Sequence, residues 1–521
     1  MTQQIEGPAS RGASGLDPAE WIEAAARERP ERPFLESLDG RRLSYAELRE
    51  QSGRYAAALA RRGVRQGDRV LAQVEKSVDG LLLYAGCLRL GAVLVPINTA
   101  NTAHEVDYFL RDSEPCLAVV RPADRELLET TARSAGVREI DTLGTHGEGS
   151  LNALARECAE IAPERSGGGA ALAAIVYTSG TTGRSKGAML TRGNLSSNAA
   201  ALADAWRFSP DDVLLHTLPL FHIHGLFAAL NTVLISGASV LLLPKFDAAL
   251  TLEHLARATV YMGVPTHYTR MLQHPALSRD GAARMRLFIS GSAPLLAETQ
   301  REFERRTGHA ILERYGMTET LIITSNPYVG VRKPGTVGPP LEGVSVRVAD
   351  AGAGGAIEVR GPNVFAGYWR APEKTRAEFT PDGWFKTGDL GRIDSDRYVH
   401  IVGRAKDLVI SGGYNIYPKE VETELDALPG VIESAVFGVP HPDLGEGVTA
   451  VVVLHAGASI AEAQIIGSLR ERLARYKVPR RVLVVVELPR NTMGKVQKNL
   501  LRASHATLYA GDAASKGSGS S

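Results

Sequence analysis

Between residues 43 and 98 the apolar positions switch period at every element boundary. In "LSYAELREQSGRYAAALARRG" (43–63) apolar residues recur every three to four positions, the period of an amphipathic helix. Ser44 and Glu47 have the capping-box spacing at its start, and Gly63 stands where a helix stops. "DRVLAQV" (68–74) is a short apolar run and predicts a buried strand. "SVDGLLLYAGCLRLG" (77–91) predicts a second helix and "AVLVPIN" (92–98) a second strand. Strand and helix alternating in this way imply largely parallel sheets covered by helices. No internal repeat is present.

The rhythm changes after about residue 380. "DGWFKTGDLGRIDSDRYVHIVGRAKDLVISGGYNIYP" (382–418) reads as short strands and glycine turns. "KEVETELDALPGV" (419–431) then predicts one helix, "IESAVFGVP" (432–440) one strand and "AEAQIIGSLRERLARYKVP" (461–479) another helix. The expected fold class is therefore α/β, a large N-terminal body of stacked mixed and parallel sheets with helices, plus a small α+β lid. The expected organisation is a disordered N-terminus at 1–16, a body at 17–405, a small C-terminal domain at 406–505 and a disordered tail at 506–521. The seam is placed in "GRAKD" (403–407), between two strand-like runs.

Composition narrows the class. Apolar residues make up 44% of the chain, ample for a core, and 59 basic against 58 acidic residues leave a net charge of +1. That balance argues against a nucleic-acid partner, which usually demands a basic face. Cys87, Cys116 and Cys158 are far apart and form no CxxC pair, which suits reduced cysteines in a cytoplasmic protein. "MTQQIEGPASRGASGLDPAE" (1–20) contains no apolar signal core, and no run of about 18 apolar residues predicts a membrane span.

"VYTSGTTGRSKGAML" (176–190) is the densest cluster of Gly, Ser and Thr in the chain, with a lysine near its end. Glycines let backbone N–H groups converge on a phosphate, hydroxyls add donors and lysine adds charge. The loop is not a Walker A motif, since Ser185 precedes Lys186 and Gly187 follows it. A flexible linker is the plain alternative. The strand-like run "AALAAIV" (170–176) before the loop and the helical pattern after it argue against one.

Seven further motifs follow in order: "LPLFHIHGL" (218–226), "ISGSAPL" (289–295), "ERYGMTET" (313–320), "GWFKTGDLG" (383–391), "GRAKD" (403–407), "SGGYNIYP" (411–418) and "PRNTMGK" (489–495). Together with the glycine-rich loop they resemble the acyl-adenylate-forming superfamily of acyl-CoA synthetases, luciferases and adenylation domains, over roughly residues 20–505. The resemblance implies ATP, Mg²⁺ and coenzyme A as cofactor and co-substrates. A carboxylate is a poor acyl electrophile; joining it to AMP supplies a leaving group that a thiol then displaces. The charge gathered at the α-phosphate calls for lysine, metal and aimed donors.

On this resemblance Thr178, Ser179, Gly180, Thr181, Thr182, Gly183 and Lys186 hold the β- and γ-phosphates. Ala293, Pro294, Tyr315, Gly316 and Met317 border the nucleotide, with Tyr315 against the adenine. Thr318 meets the α-phosphate and Glu319 the Mg²⁺. Asp389 accepts the ribose hydroxyls, and Arg404 lies on the ribose and phosphate side. Lys495 resembles the catalytic lysine of adenylation. Lys406 takes the hinge position, about which the small domain rotates so that Ser411, Gly412, Gly413 and Tyr414 replace Lys495 and line the CoA tunnel. Lys495 is also suited to regulation by a lysine acetyltransferase, since acetylation would remove its charge. His222 and His224 form an HxH pair with no third metal ligand at convincing spacing. The family makes this segment a wall of the acyl pocket with His222 as its gate.

The acid is read from "MGVPTHYTRML" (262–272), "FHIHG" and "ISGSAPL", which offer Arg270, His222 and Ser292. With "TSNPY" (324–328) they resemble malonyl-CoA synthetases in particular, which make malonyl-CoA, and often methylmalonyl-CoA, from the free diacid. A guanidinium suits a distal carboxylate bidentately. Arg286, just before a turn, reads as structural. Leu321, Ile322 and Ile323 follow "YGMTET" where the family has more polar residues, which favours tolerance of a 2-alkyl malonate. Alternatives are an oxalyl-CoA or other short-chain acyl-CoA synthetase, a carrier-loading or luciferase-like enzyme, and a non-catalytic nucleotide-binding protein. The last would be expected to lack Lys495, Asp389 or Glu319.

Overall fold

The helix Tyr45–Arg61 begins where the sequence places it. Ser44 Oγ accepts from the Glu47 N–H, and the Glu47 side chain accepts from the Ser44 N–H at 2.7 Å, satisfying two donors that the first turn leaves free. Strand Arg69–Gln73, helix Val78–Leu90 and strand Val93–Pro96 follow as the pattern predicts. The computed structural model describes residues 2–8, 17–163, 167–178, 185–349, 354–412, 414–492 and 494–510. The chain divides into two units, one of Ile5–Val346 with Val359–Phe385, the other of Met1–Gln4, Arg347–Glu358 and Lys386–Ser521.

Two sheets organise the larger unit. In the six-stranded sheet the strand order is Glu139–Thr142, Leu117–Val120, Arg69–Gln73, Val93–Pro96, Leu172–Thr178 and Lys186–Thr191. Its neighbours are parallel except the last pair, which is antiparallel and brackets the glycine-rich loop. The eight-stranded sheet runs Leu321–Ser325, Leu312–Met317, Leu287–Ser290, Val260–Gly263, Val213–His216, Ser239–Leu242, Pro33–Ser37 and Arg42–Ser44. Only its two edge pairs are antiparallel. In such sheets ligands gather beyond the carboxyl ends of the parallel strands. Those ends here are His216, Gly263, Ser290 and Met317, and each leads into one of the acid or nucleotide motifs.

The helix Pro265–Gln273 is set by its buried face. Tyr268 is fully buried, donates to Ile289 O at 2.6 Å and meets Phe303 edge-on with ring centroids 5.3 Å apart. Burying such a side chain contributes roughly 1.5–3 kcal/mol. It fixes the rotation of the helix and so the direction in which His267 and Arg270 leave it.

The smaller unit has its own core, built from Val409, Ile416, Val421, Leu425, Val436, Val448, Ala450, Val452 and Ile465. Its sheet orders Tyr414–Ile416, Val409–Ser411, Gly445–Leu454 and Val431–His441, with Arg481–Val484 parallel to Gly445–Leu454. A five-stranded sheet contains Phe385–Ile393 and Val399–Arg404 as an antiparallel pair.

The structure departs from the sequence expectation at three places. Gln3–Glu6 is a strand rather than disordered chain, while residues 9–16 lie outside the described residues. Residues 506–510 are folded, because Tyr509 is buried, its hydroxyl lying 2.9 Å from Thr449 Oγ1; residues 511–521 lie outside the described residues. The helix expected over 461–479 spans only Glu462–Arg470, beyond which the charged run leaves Leu473 as the one leucine against the core. Among the described residues no helix is long and apolar enough to cross a membrane.

Candidate active site

In the larger unit, four strand ends supply one electrostatic cluster. His224 opens a π-helical turn, His224–Leu230. Such turns occur often at functional sites. The His224 N–H donates to His222 Nδ1 at 3.2 Å, and His224 Nδ1 lies 3.2 Å from Ser292 Oγ. Ser292 has a φ of 72°, a left-handed conformation that costs a serine energy and aims its hydroxyl at the histidine. Burial, with the Arg314 charge as second cause, lowers His222 to about 4. The same two causes, in that order, hold His224 well below the usual histidine range. Both rings are therefore neutral near pH 7.

Arg314 is one of the residues that the sequence motifs did not assign to the site. It lies within the strand Leu312–Met317 and is 3% exposed. Its Nε and Nη2 are buried without a hydrogen-bond partner, and among the described residues no carboxylate pairs with it. A methyl group at Gly291 would stand 2.3 Å from Arg314 Cζ, so the guanidinium lies directly against that glycine. Burial pulls Arg314 down to about 9. An unpaired buried charge is costly unless something else neutralises it. Its one sequence signal was its place between Glu313 and Tyr315 in the motif "ERYGMTET".

The other expected acid-site residues divide clearly. Arg270 is exposed, and among the described residues it has no ion-pair partner. Arg286 is committed elsewhere: its Nε bonds Asp212 at 2.6 Å, its Nη2 bonds Asp212 at 2.8 Å, and its Nη1 bonds Trp206 O at 3.0 Å. Leu321, Ile322 and Ile323 are buried in an edge strand, with Leu321 at a φ of 52° and Ile322 N held by Asn198 at 3.3 Å. Ala293 is half-buried and Pro294 exposed, immediately after Ser292.

Around the glycine-rich loop, Ser179, Gly180, Thr181, Thr182 and Gly183 lie outside the described residues. Thr178 and Lys186 face each other across the antiparallel pair at the base of the loop. Lys186 Nζ lies 3.2 Å from Glu378 Oε1 and 4.6 Å from the centre of the Tyr368 ring. Tyr368 OH in turn donates to Glu319 Oε1 at 2.9 Å. Glu319 is buried, whereas Tyr315, Gly316, Met317 and Thr318 before it are half-buried. A Cβ at Gly316 would fall 2.0 Å from Leu321 O, which requires glycine at the bulge beside Tyr315. Tyr368 and Glu378 belong to no motif singled out in the sequence, and only the fold joins them to Lys186 and Glu319.

The smaller unit carries a second cluster. Asp389 and Arg404 are cross-strand partners, with Arg404 Nε 2.9 Å from Asp389 Oδ1. Lys495 sits in a tight loop where its N–H donates to Asn491 Oδ1 at 2.9 Å and its carbonyl accepts from Asn491 N at 3.0 Å. Burial first, then the Arg404 charge, lowers Lys495 to about 8. Lys406, in the short turn Ala405–Asp407, is lowered by the same two causes. Ser411 is buried, Gly412 has a φ of 57°, and Gly413 lies outside the described residues. Tyr414 is exposed and stacks on Tyr476 with centroids 4.6 Å apart.

Comparison with known proteins gives a consistent result. Residues 22–369 match the family model described as AMP-binding enzyme, and residues 420–495 match AMP-binding enzyme C-terminal domain. A protein of Arabidopsis thaliana named malonate–CoA ligase is 35% identical over 85% of this chain and 79% of its own length. One of Cupriavidus necator named sulfoacetate–CoA ligase is 36% identical over 92% of this chain and 96% of its own. The crystal structure of ATP-bound MatB from Rhodopseudomonas palustris is 54% identical, with a TM-score of 0.92 over 95% of this chain and all of that one.

Proposed function

From the premise that this chain belongs to the AMP-binding enzyme family, we propose that it is an AMP-forming acid–CoA ligase whose acid is malonate, with methylmalonate also accepted. The observation that carries the choice of acid is Arg314, a buried guanidinium with two unpartnered N–H sites and no carboxylate partner among the described residues. The reacting carboxylate loses its charge when it becomes an acyl adenylate. A cation that must stay neutralised through both half-reactions therefore calls for a second, distal carboxylate. Arg314 and Arg270 are assigned to that group, with Ser292 and the neutral His222 beside it. A fatty acid offers nothing to pair with a buried guanidinium.

In the first half-reaction the substrate carboxylate attacks the α-phosphorus of ATP and pyrophosphate leaves. The Thr178–Gly183 loop and Lys186 hold the β- and γ-phosphates; Lys186 exchanges Glu378 for phosphate oxygens. Ala293, Pro294, Tyr315, Gly316 and Met317 seat the nucleotide, Thr318 takes the α-phosphate, and Asp389 and Arg404 take the ribose side. Lys495 donates to the carboxylate and α-phosphate oxygens as charge develops there. Glu319 would hold Mg²⁺, since a buried carboxylate with one oxygen oriented by Tyr368 is the hard oxygen donor that the ion prefers. Bound Mg²⁺ supplies charge neutralisation on the phosphates.

In the second half-reaction the CoA thiolate attacks the acyl carbonyl and AMP leaves. Rotation of the backbone at Lys406 exchanges Lys495 for the segment Ser411–Tyr414, which lines the thiol's approach. Lys495 is also where a lysine acetyltransferase would silence the first half-reaction. A sulfonate would satisfy the same unpaired cations, so sulfoacetate is the second reading, supported by the relative in Cupriavidus necator.

Exchange of labelled pyrophosphate into ATP, without CoA, tests the adenylation step. Malonate should support rapid exchange, and acetate or octanoate little. Exchange driven by acetate but not by malonate overturns the choice of acid and leaves the ligase class standing.

A further inference from the structure

Lys76 lies in none of the family motifs, on the loop between the strand Arg69–Gln73 and the helix Val78–Leu90. Its Nζ reaches from one sheet to the other and donates to His216 O at 2.8 Å, at the carboxyl end of the strand Val213–His216. Next to His216 in that sheet is Met262, one residue from the end of the strand that leads into the helix of His267 and Arg270. A polar chain crosses the same ground: Thr217 Oγ1 is 3.2 Å from Tyr261 OH, which is 2.8 Å from His267 Nδ1. The His267 ring is held flat against Phe246 with centroids 3.8 Å apart.

Lys76 is half-buried and, among the described residues, has no carboxylate within ion-pairing distance. The adjacent carboxylate, Glu75, is turned away to Arg121 at 2.9 Å. One carbonyl takes one of three ammonium hydrogens and supplies no charge. Burial of the amine draws Lys76 well below the ordinary lysine range, so an anion beside it is what restores its charge. Burial, reinforced by the charges of Arg270 and then Lys76, lowers His267 to about 3, so both cations bear on one ring. His267 in turn bears on His224, which feels Arg314. Lys76, Arg270 and Arg314 therefore bear on one group of histidines, and among the described residues none of the three has a carboxylate ion-pair partner.

We propose that Lys76 is a specificity-determining residue, a third cation whose ammonium pairs with the distal anionic group of the acid substrate. The inference rests on the diacid reading above. A guanidinium fork fixes the orientation of a carboxylate, whereas an ammonium is a point charge that reads charge with little regard to shape. Lys76 therefore selects for an anionic distal group, carboxylate or sulfonate, over a methyl group of similar size. A structural role would be confined to capping His216 O, and its loss would weaken every acid alike.

The test compares wild type, Lys76→Met and Lys76→Arg in CoA-thioester formation from malonate, sulfoacetate and propionate, with ATP KM and thermal unfolding measured beside them. Lys76→Met should lower kcat/KM for malonate about 10- to 100-fold, the range of one charge-assisted contact. Propionate and ATP KM should stay within about twofold, and Lys76→Arg should recover part of the loss. A second measurement avoids dependence on the variant's folding. In wild type, trinitrobenzenesulfonate labelling of Lys76, read by peptide mass spectrometry, should be suppressed by malonate and not by propionate. Equal losses on all acids, or labelling indifferent to malonate, overturn the role of Lys76 while the diacid reading stands. Wild type without preference for an anionic distal group overturns both.

Discussion

Replacing Arg314 by methionine separates two quantities that usually fall together. In the ligand-free protein the guanidinium is buried and unpaired, and burial lowers it to about 9. A shift of that size corresponds to on the order of 5 kcal/mol of unfavourable charge burial. Exchanging an uncompensated buried ion for an apolar side chain of similar length should then stabilise the free protein by about 1–4 kcal/mol. The substrate side has the opposite sign. Each hydrogen bond from a charged donor contributes roughly 1.5–3 kcal/mol, so filling the two orphaned N–H sites gives a loss on the order of 10²–10⁴ in kcat/KM for malonate. Propionate never used those donors and should change little. Urea unfolding without ligand and steady-state kinetics on both acids read the two effects. Arg270→Ala should also lose malonate selectively, but without the gain in stability, because Arg270 is exposed. If Arg314→Met unfolds more easily than wild type, or loses propionate as heavily as malonate, the guanidinium is structural and its assignment to the distal carboxylate fails.

Lys495→Ala should depress pyrophosphate exchange about 100- to 1000-fold, while CoA-thioester formation from supplied malonyl-AMP is largely kept; equal loss in both half-reactions contradicts the assignment. Lys406→Pro fixes φ near −65° and should preserve exchange while slowing transfer to CoA; two unchanged half-reactions would put the hinge elsewhere. Lys495 is lowered to about 8 by burial and Arg404, so it is protonated below that pH and neutral above it. Adenylation kcat/KM should therefore decline as pH rises through about 8, with the decline in kcat displaced upward because bound ATP favours the charged amine; a flat profile to pH 10 would contradict a protonated Lys495 in the first step.

Much of this arrangement was legible in the sequence because it is local. The capping box at Ser44 and Glu47 and the alternation through residues 43–98 follow from nearby residues, whereas the strand Lys186–Thr191 stands between the glycine-rich loop and the helix expected after it. Asp389 and Arg404 lie in the stretch read as short strands and glycine turns, and the structure pairs them across a hairpin. What stayed hidden depends on distant chain segments. Glu378 and Tyr368 reach Lys186 only because residues 359–385 fold back onto the larger unit. Arg314 reads as one charge in a strand until the partners of its N–H groups can be counted. Lys76 meets His216 across 140 residues of chain, and no spacing rule predicts that. Tyr509 illustrates the same limit, since a lone aromatic before a polar tail gives no sign of the pocket it fills beside Thr449.

On the proposed reading the acid carries a second negative charge. The most direct measurement of this is kcat/KM for CoA-thioester formation from acetate, propionate, oxalate, malonate, methylmalonate, sulfoacetate and octanoate, with each product identified by mass. Malonate should rank first and methylmalonate close behind. Acetate and propionate should be lower by at least the roughly one to two decades that a charge-assisted pair contributes. Propionate or octanoate equal to or ahead of malonate would contradict the claim.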